Sequence, residues 1–193
     1  MTVGLRYLFV ALRSLLTLTV VLGIAYPLVV FGVGQLAFHD GANGSFLTVD
    51  GEKVGSRLIG QSFTGPEWFL PRPSAAGDGY DAMSSGASNL GPSSKELLDL
   101  VEQRNADAAE LDGVAPADVP PDALTASGSG LDPHISPAYA QQQVARVAKA
   151  RGLDPAVVQQ LVDEHSDGRP LGFLGEPTVN VLELNLALQG LNR

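Results

Sequence analysis

The amino-acid sequence predicts a membrane-anchored α+β protein: one amino-terminal transmembrane helix, then a single small extracytoplasmic domain in which helices predominate. Three observations carry that reading. Ser14 to Phe38 is an uncharged run dominated by Leu, Val, Ile, Ala, Gly and Phe. No later segment repeats it, so the remainder is built for water. Beyond it, short β-type pieces alternate with amphipathic segments that carry helix caps, and Cys is absent, which rules out a disulfide framework.

The apolar run comes first in the chain. At about 1.5 Å per residue, some 25 residues make a helix of roughly 37 Å, enough to cross a hydrocarbon core of about 30 Å with some tilt. A cleaved signal peptide would have an apolar core of about 7 to 15 residues and then a small-residue cleavage site. This run is longer, and the best cut, after Ala37, has Gln35 where a small residue is wanted, so a retained anchor is expected. Arg6, Arg13 and the amino terminus precede the run, whereas all 21 Asp and Glu follow it. The positive-inside rule then makes residues 1–13 a short cytoplasmic terminus, 14–38 the span and 39–193 the outer domain.

The span contains no Asp, Glu, Lys, Arg or His, which excludes a helix that conducts or pumps ions by itself. Gly23, Pro27 and Gly32 are its candidate partner contacts: small residues let another helix approach closely, and proline removes a backbone donor. Glycine and proline are also common in membrane helices generally, so both readings stand. The outer domain keeps ten Lys and Arg against 21 Asp and Glu, a formal −11 where the whole chain has −9. Such a surface repels nucleic acid and favours cations, weakly at physiological salt. About 150 residues suffice for one packed core.

The domain opens β-rich. Ser45–Val49 and Lys53–Gly60 flank Asp50-Gly51-Glu52, and Asp-Gly between apolar runs signals a hairpin. Thr64 to Pro92 is dense in Gly, Pro, Ser and Asn, yet Trp68, Phe69, Tyr80 and Met83 punctuate it, which predicts an ordered loop packed on the domain. Ser93 with Glu96 forms a capping box for a helix through Leu97, Leu98, Leu100 and Val101 to about Arg104. Asn105 to Asp122, acidic and without sustained periodicity, reads as a solvated connector.

Ser136-Pro137 is an N-cap and first-turn proline for a helix through Val144 and Val147 that Gly152 can stop. Asp154-Pro155 opens the next helix in the same way, with Val157, Val158, Leu161 and Val162 on one face. Asn180 and Glu183 cap a last helix with Gly190 as its stop, although the alternation from Val179 to Leu188 also suits a strand.

The stretch Thr125 to Pro137 is the one most suggestive of chemistry, because Ser127, Ser129, Asp132 and His134 crowd together there. Neither serine has the glycines of a nucleophile elbow, and triad members normally come from distant parts of a chain. Two ligands, Asp132 and His134, are too few for a metal, and His39 and His165 supply no usable spacing. The lysine of a phosphate-binding loop is missing. Tight loop packing, local hydrogen bonds and a helix cap at Ser136, or a protein-contact role for Ser127, Ser129, Asp132 and His134, fit best. No catalytic and no metal residue is assigned. The alternative is a free-standing membrane-anchored hydrolase or ligand-binding domain that uses this loop.

Several segments together resemble the C subunit of the Kdp high-affinity potassium-transporting ATPase. They are Gly60-Gln61-Ser62-Phe63-Thr64-Gly65, Arg72-Pro73-Ser74-Ala75, Ser88-Asn89-Leu90-Gly91-Pro92-Ser93, Thr125 to Pro137, Arg146-Val147-Ala148-Lys149-Ala150-Arg151, and Gly175-Glu176-Pro177 leading into Val179 to Leu188. The resemblance runs almost end to end, and it is the order of these pieces behind one span that makes it specific.

It implies an accessory subunit of a bacterial cell-membrane complex, needed for assembly and activity. Its partners would be a channel-like potassium-binding subunit, a P-type subunit that hydrolyses ATP, and a small single-span subunit. ATP and potassium would be used by the complex and held firmly by none of this chain's residues. The chain lacks the P-type Asp-Lys-Thr-Gly-Thr motif and a selectivity filter. The resemblance also implies a catalytic chaperone that raises the ATP affinity of the hydrolysing subunit, with a glutamine at the nucleotide; the matching residue is Gln143, beside Gln141 and Gln142. The expected topology places Gln143 outside the cell, which favours a surface glutamine on an amphipathic helix over a nucleotide contact.

Overall fold

The computed structural model of the chain describes residues 3–191. Its contacts fall into two compact units, one through Phe46 and one from Leu47 onward.

The first unit is helical. Helix α1 (Val3–Val20) passes through a π-helical turn, Val21–Ala25, into α2 (Tyr26–Ala37), and a short α3 (His39–Ala42) follows. The π turn has a cause in the sequence. Pro27 has no N–H, and its ring would clash with the carbonyl four residues back, at Gly23. The ladder widens just ahead of it, so that the Tyr26 N–H donates to the Val21 carbonyl. Gly4–Ala37 is long and apolar enough to cross a membrane, and no residue of its most apolar stretch is buried. Arg6 and Arg13 lie on this same helix.

The second unit is helix-rich with two small sheets. Strands β1 (Phe46–Val49) and β2 (Glu52–Ser56) pair across Asp50 at φ 52° and Gly51 at φ 84°. Two consecutive positive φ values define the type I′ turn that the Asp-Gly signal predicts. Helix α4 (Lys95–Asp112) is capped by Ser94, whose hydroxyl accepts from the Leu97 N–H, and it ends at Gly113 with φ 69°. The cap is therefore one residue later than the predicted Ser93. The larger correction is at the other end: residues 105–112, expected to be connector, continue the helix. Ala106, Ala108 and Ala109 are strong helix formers, and Ala109 and the Asp112 side chain are buried. A 3-10 turn at Pro116–Asp118 and α5 (Pro121–Leu124) occupy much of the remaining connector.

Strand β3 (His134–Ile135) leads into α6 (Pro137–Arg151), then α7 (Pro155–Glu164), β4 (Ser166–Asp167), β5 (Thr178–Asn180) and α8 (Val181–Gly190). The three short strands form an antiparallel sheet in the order β3-β5-β4, with His134 opposite Asn180 and Ser166 opposite Val179. The caps fall where the sequence places them: Ser136 for α6, Asp154 for α7, Asn180 for α8, and Gly152 at φ 66° behind α6. The strand-or-helix ambiguity after Pro177 resolves as both, three residues of strand and then helix. Gly190 is the last residue of that helix, with Leu191 as its cap.

The core lies between α6, α7, α8 and β5, where Val147, Val158, Val162, Val179, Leu184 and Leu188 are buried. Burying each such side chain is worth roughly 1.5–3 kcal/mol. Phe69, from the long loop between β2 and α4, joins this core with no exposed surface. The loop is thus packed on the domain as expected, with one exception: Met83 is 93% exposed.

Candidate functional site

Residues 66–70 form no regular ladder, so their carbonyls need other partners. The helices supply them from side chains. Gln143 of α6 bonds both sides of Leu70: its Oε1 accepts from the Leu70 N–H at 2.7 Å, and its Nε2 donates to the Leu70 carbonyl at 3.2 Å. Asn185 of α8 treats Phe69 in the same way, at 2.9 Å for each bond. Arg146 donates from Nη1 to the carbonyls of Pro66 and Trp68 at 2.8 and 2.9 Å, and Arg151 donates from Nε to that of Glu67 at 2.7 Å. Every carbonyl from Pro66 to Leu70 is therefore accepting from a helix side chain. The Arg151 guanidinium also stacks over Trp68, 4.2 Å from the ring centroid, and Phe63 packs near the same ring.

This strap is anchored by a buried ion pair. Arg146 Nε donates to Asp112 Oδ1 at 2.7 Å, with only 6% and 2% of the two side chains exposed. Gln142 Nε2 donates to the other Asp112 oxygen at 2.7 Å, and Arg146 Nη2 donates to Gln143 Oε1 at 2.6 Å. The sequence suggested a surface glutamine at position 143. The structure corrects this: Gln143 is fully buried, and its amide is spent on Leu70 and Arg146.

A second cluster joins the long loop to the Thr125–Pro137 stretch. Arg72 Nη1 donates to Asp132 Oδ2 at 3.0 Å, and the same guanidinium reaches the Thr125 carbonyl at 3.3 Å. Ser74 Oγ donates to the Gly130 carbonyl at 2.6 Å, and Tyr80 OH donates to the Arg72 carbonyl at 2.7 Å. The backbones touch closely enough to demand glycine. A Cβ on Gly130, at φ 66°, would lie 2.6 Å from the Ala76 nitrogen, and one on Gly60 would lie 2.6 Å from the Asp132 carbonyl oxygen. Burial opposes the charge on Asp132, but hydrogen bonds from the His134 ring and N–H, with the nearby Arg72 charge, outweigh it and hold the carboxyl below its usual range. Burial, reinforced by Asp132, pushes the Tyr80 phenol far above its usual range, so it is a neutral donor.

The predicted site residues separate into three places. Gly23, Pro27 and Gly32 lie on the apolar helix. Gln143 lies in the core. Ser127, Ser129, Asp132 and His134 share one loop, where Ser129 Oγ accepts from the Leu131 N–H at 3.1 Å and lies 3.4 Å from Ser127 Oγ. His134 Nδ1 instead faces Asp132 Oδ1 at 3.5 Å, so among the described residues no serine is hydrogen-bonded to the imidazole as a nucleophile needs. Ser136 caps α6, accepting from the Tyr139 N–H at 3.0 Å, and donates to Asp122 at 2.9 Å. Asp132 and His134 line an open cavity of about 700 Å³ shared with Ser136, Pro137, Glu176 and Thr178. Among the described residues, no group of three or more His, Asp or Glu is placed to hold a metal ion. The sequence did not single out Asp112 or Asn185, and Arg146 stood out only as part of the segment Arg146 to Arg151. The one available signal was polar residues, Gln143 and Arg146, interleaved with the apolar residues Val144 and Val147 of α6.

A family model described as "K+-transporting ATPase, c chain" matches residues 8–190, which takes in most of the apolar helix and nearly all of the domain. Among curated relatives, the chain is 64% identical over 185 residues to a potassium-transporting ATPase KdpC subunit of Kineococcus radiotolerans, covering 96% of this chain and 94% of that one. A protein of the same name from Koribacter versatilis is 53% identical over 173 residues, covering 89% and 88%. Another, from Mycobacterium tuberculosis, is 54% identical over 188 residues, covering 96% and 99%.

Proposed function

This chain belongs to the KdpC family, the c chain of potassium-transporting ATPases, and on that premise we propose that it is a non-catalytic accessory subunit of an ATP-driven potassium uptake complex. The observation that carries the reading is the span of the match, from the apolar helix to the last helix of the domain. The partners are a channel-like potassium-binding subunit, a P-type subunit that hydrolyses ATP, and a small single-span subunit. ATP and potassium are used by those partners. What supports a non-catalytic role is the chemistry of the loop at Ser127–His134, where the Ser129 hydroxyl accepts from the Leu131 N–H and the Asp132 carboxylate is engaged by Arg72 and His134.

The helix anchors the chain in the bacterial cell membrane, amino terminus inside and domain outside. The support is the position of Arg6 and Arg13 ahead of an acidic domain. The chain has no cysteine, so single cysteines introduced at Thr2 and at the exposed Gln141 give a clean test. A membrane-impermeant maleimide should label position 141 in intact spheroplasts and position 2 only after lysis; the reverse pattern refutes the orientation.

Any effect of Gln143 on nucleotide affinity is exerted by holding residues 66–70 in place, because both ends of its amide are already engaged. ATP analogue binding at Gln143 of the full chain alone, at sub-millimolar affinity, would refute this. The accessory role is tested by pull-down of the tagged chain from mild-detergent membranes of potassium-starved cells, with potassium-stimulated ATPase measured with and without it. Co-purification of a P-type ATPase and loss of activity on omission are expected. Recovery of the chain alone refutes the role.

A further inference from the structure

The segment between β4 and β5, residues 168–177, carries three large apolar side chains outside the core: Leu171 is 82% exposed, Phe173 70% and Leu174 47%. The segment is tightly made. The Gly172 N–H donates to the Arg169 carbonyl at 2.9 Å and the Leu174 N–H to the Pro170 carbonyl at 3.1 Å, while an Arg169–Glu176 ion pair closes the base. Leu171, at the tip, is held at φ 55°, ψ 13°, a left-handed conformation that bulky residues rarely adopt. An apolar tip is thus held out in water in a backbone conformation unfavourable for leucine, and the domain itself returns neither cost.

We infer that Leu171, Phe173 and Leu174 form a docking knob for an apolar pocket with a basic rim on an integral-membrane subunit of the same complex, an inference that rests on the accessory-subunit reading. Charge is the first argument for that occupant. Asp163, Glu164, Asp167 and Glu176 flank the tip against Arg169 alone, on a chain of formal charge −9. Segments that enter an anionic lipid surface carry Lys and Arg instead. Size is the second. Three such side chains bury on the order of 400 Å², short of the roughly 800 Å² per partner of a free-standing complex. A second copy would set the same acidic flank against this one, and a soluble partner would not be held by this contact unaided. A subunit already kept alongside by the membrane anchor would be, because tethering supplies the effective concentration. Rigidity is the third: a tip already set in its conformation loses little freedom on docking. The exit of the loop is also continuous with the Asp132–His134 loop, since Glu176, Pro177 and Thr178 line the same cavity.

The test places a photo-crosslinking benzoylphenylalanine at Phe173 of the full chain, in membranes that express the whole complex. An adduct with an integral-membrane subunit of that complex is expected, lost when Leu171→Ser and Leu174→Ser are added while the unfolding midpoint stays unchanged. Adducts with lipid only, with a second copy of the chain, or with nothing, from a chain that still co-purifies with the ATPase, overturn the knob and leave the accessory role standing. A wild-type chain that co-purifies with no ATPase subunit overturns both.

Discussion

Residues 66–70 and residues 168–177 are both irregular segments that carry proline and large apolar side chains, yet they end in opposite environments. Phe69 has no exposed surface, while Phe173 is 70% exposed. In the first loop each carbonyl from Pro66 to Leu70 finds a donor on α6 or α8. In the second the bonds that hold the turn come from within it, at Arg169, Pro170 and Glu176. Irregular backbone enters a core only where polar side chains meet its N–H and C=O groups; otherwise it stays in solvent whatever apolar groups it carries.

The most severe way to break this contrast is Arg146→Met. It leaves the Asp112 carboxylate buried without its cation and frees the carbonyls of Pro66 and Trp68. A loss of about 3–5 kcal/mol is expected, the usual cost of removing one partner of a buried ion pair. Denaturant unfolding of the full chain in mild detergent measures it, with the single tryptophan, Trp68, reporting directly on the strap. An unchanged midpoint would mean that the strap contributes nothing.

Gln143→Leu is the next largest. It keeps the size of the side chain but strands the Leu70 N–H and carbonyl, and about 1–3 kcal/mol should be lost for a buried group left unpaired. The loss should appear in nucleotide-free protein. Stability unaffected there, combined with weaker ATP use by the complex, would return Gln143 to a direct nucleotide role.

The Arg72–Asp132–His134 cluster sharpens the comparison through pH. The Asp132 carboxyl is held below its ordinary value in the folded domain, so the unfolded chain takes up that proton first as pH falls. The stabilisation is fully present above the unfolded value, about 3.9, and is lost as pH falls through the lower folded value. Asp132→Asn should flatten this part of the acid limb in unfolding curves recorded from pH 5 downwards. An identical slope in both proteins would remove Asp132 from the account.

The smallest effect belongs to the exposed loop. Phe173→Ser should change stability by less than about 0.5 kcal/mol, as surface substitutions do. A loss of 2 kcal/mol or more, on the order of a core truncation, would show that the ring is packed after all.

Local chemistry made much of the fold legible in the sequence. Ser136-Pro137, Asp154-Pro155, Asn180 and Gly152 cap helices because each acts on backbone groups within a few residues, and Asp50-Gly51 sets its turn by its own dihedrals. The apolar helix is equally self-contained: length and composition define it, and Pro27 places its π turn. The order of the segments was enough to point to the family. Only the tertiary structure decided the rest. The extension of α4 to Asp112 depends on burial against α6, and the burial of Gln143 and Asn185 depends on a loop more than 70 residues away arriving with unpaired carbonyls. A buried glutamine and a surface glutamine look alike in a periodic pattern, because that pattern records which face is apolar, whereas the need for a polar group in a core is set by the backbone of a distant segment.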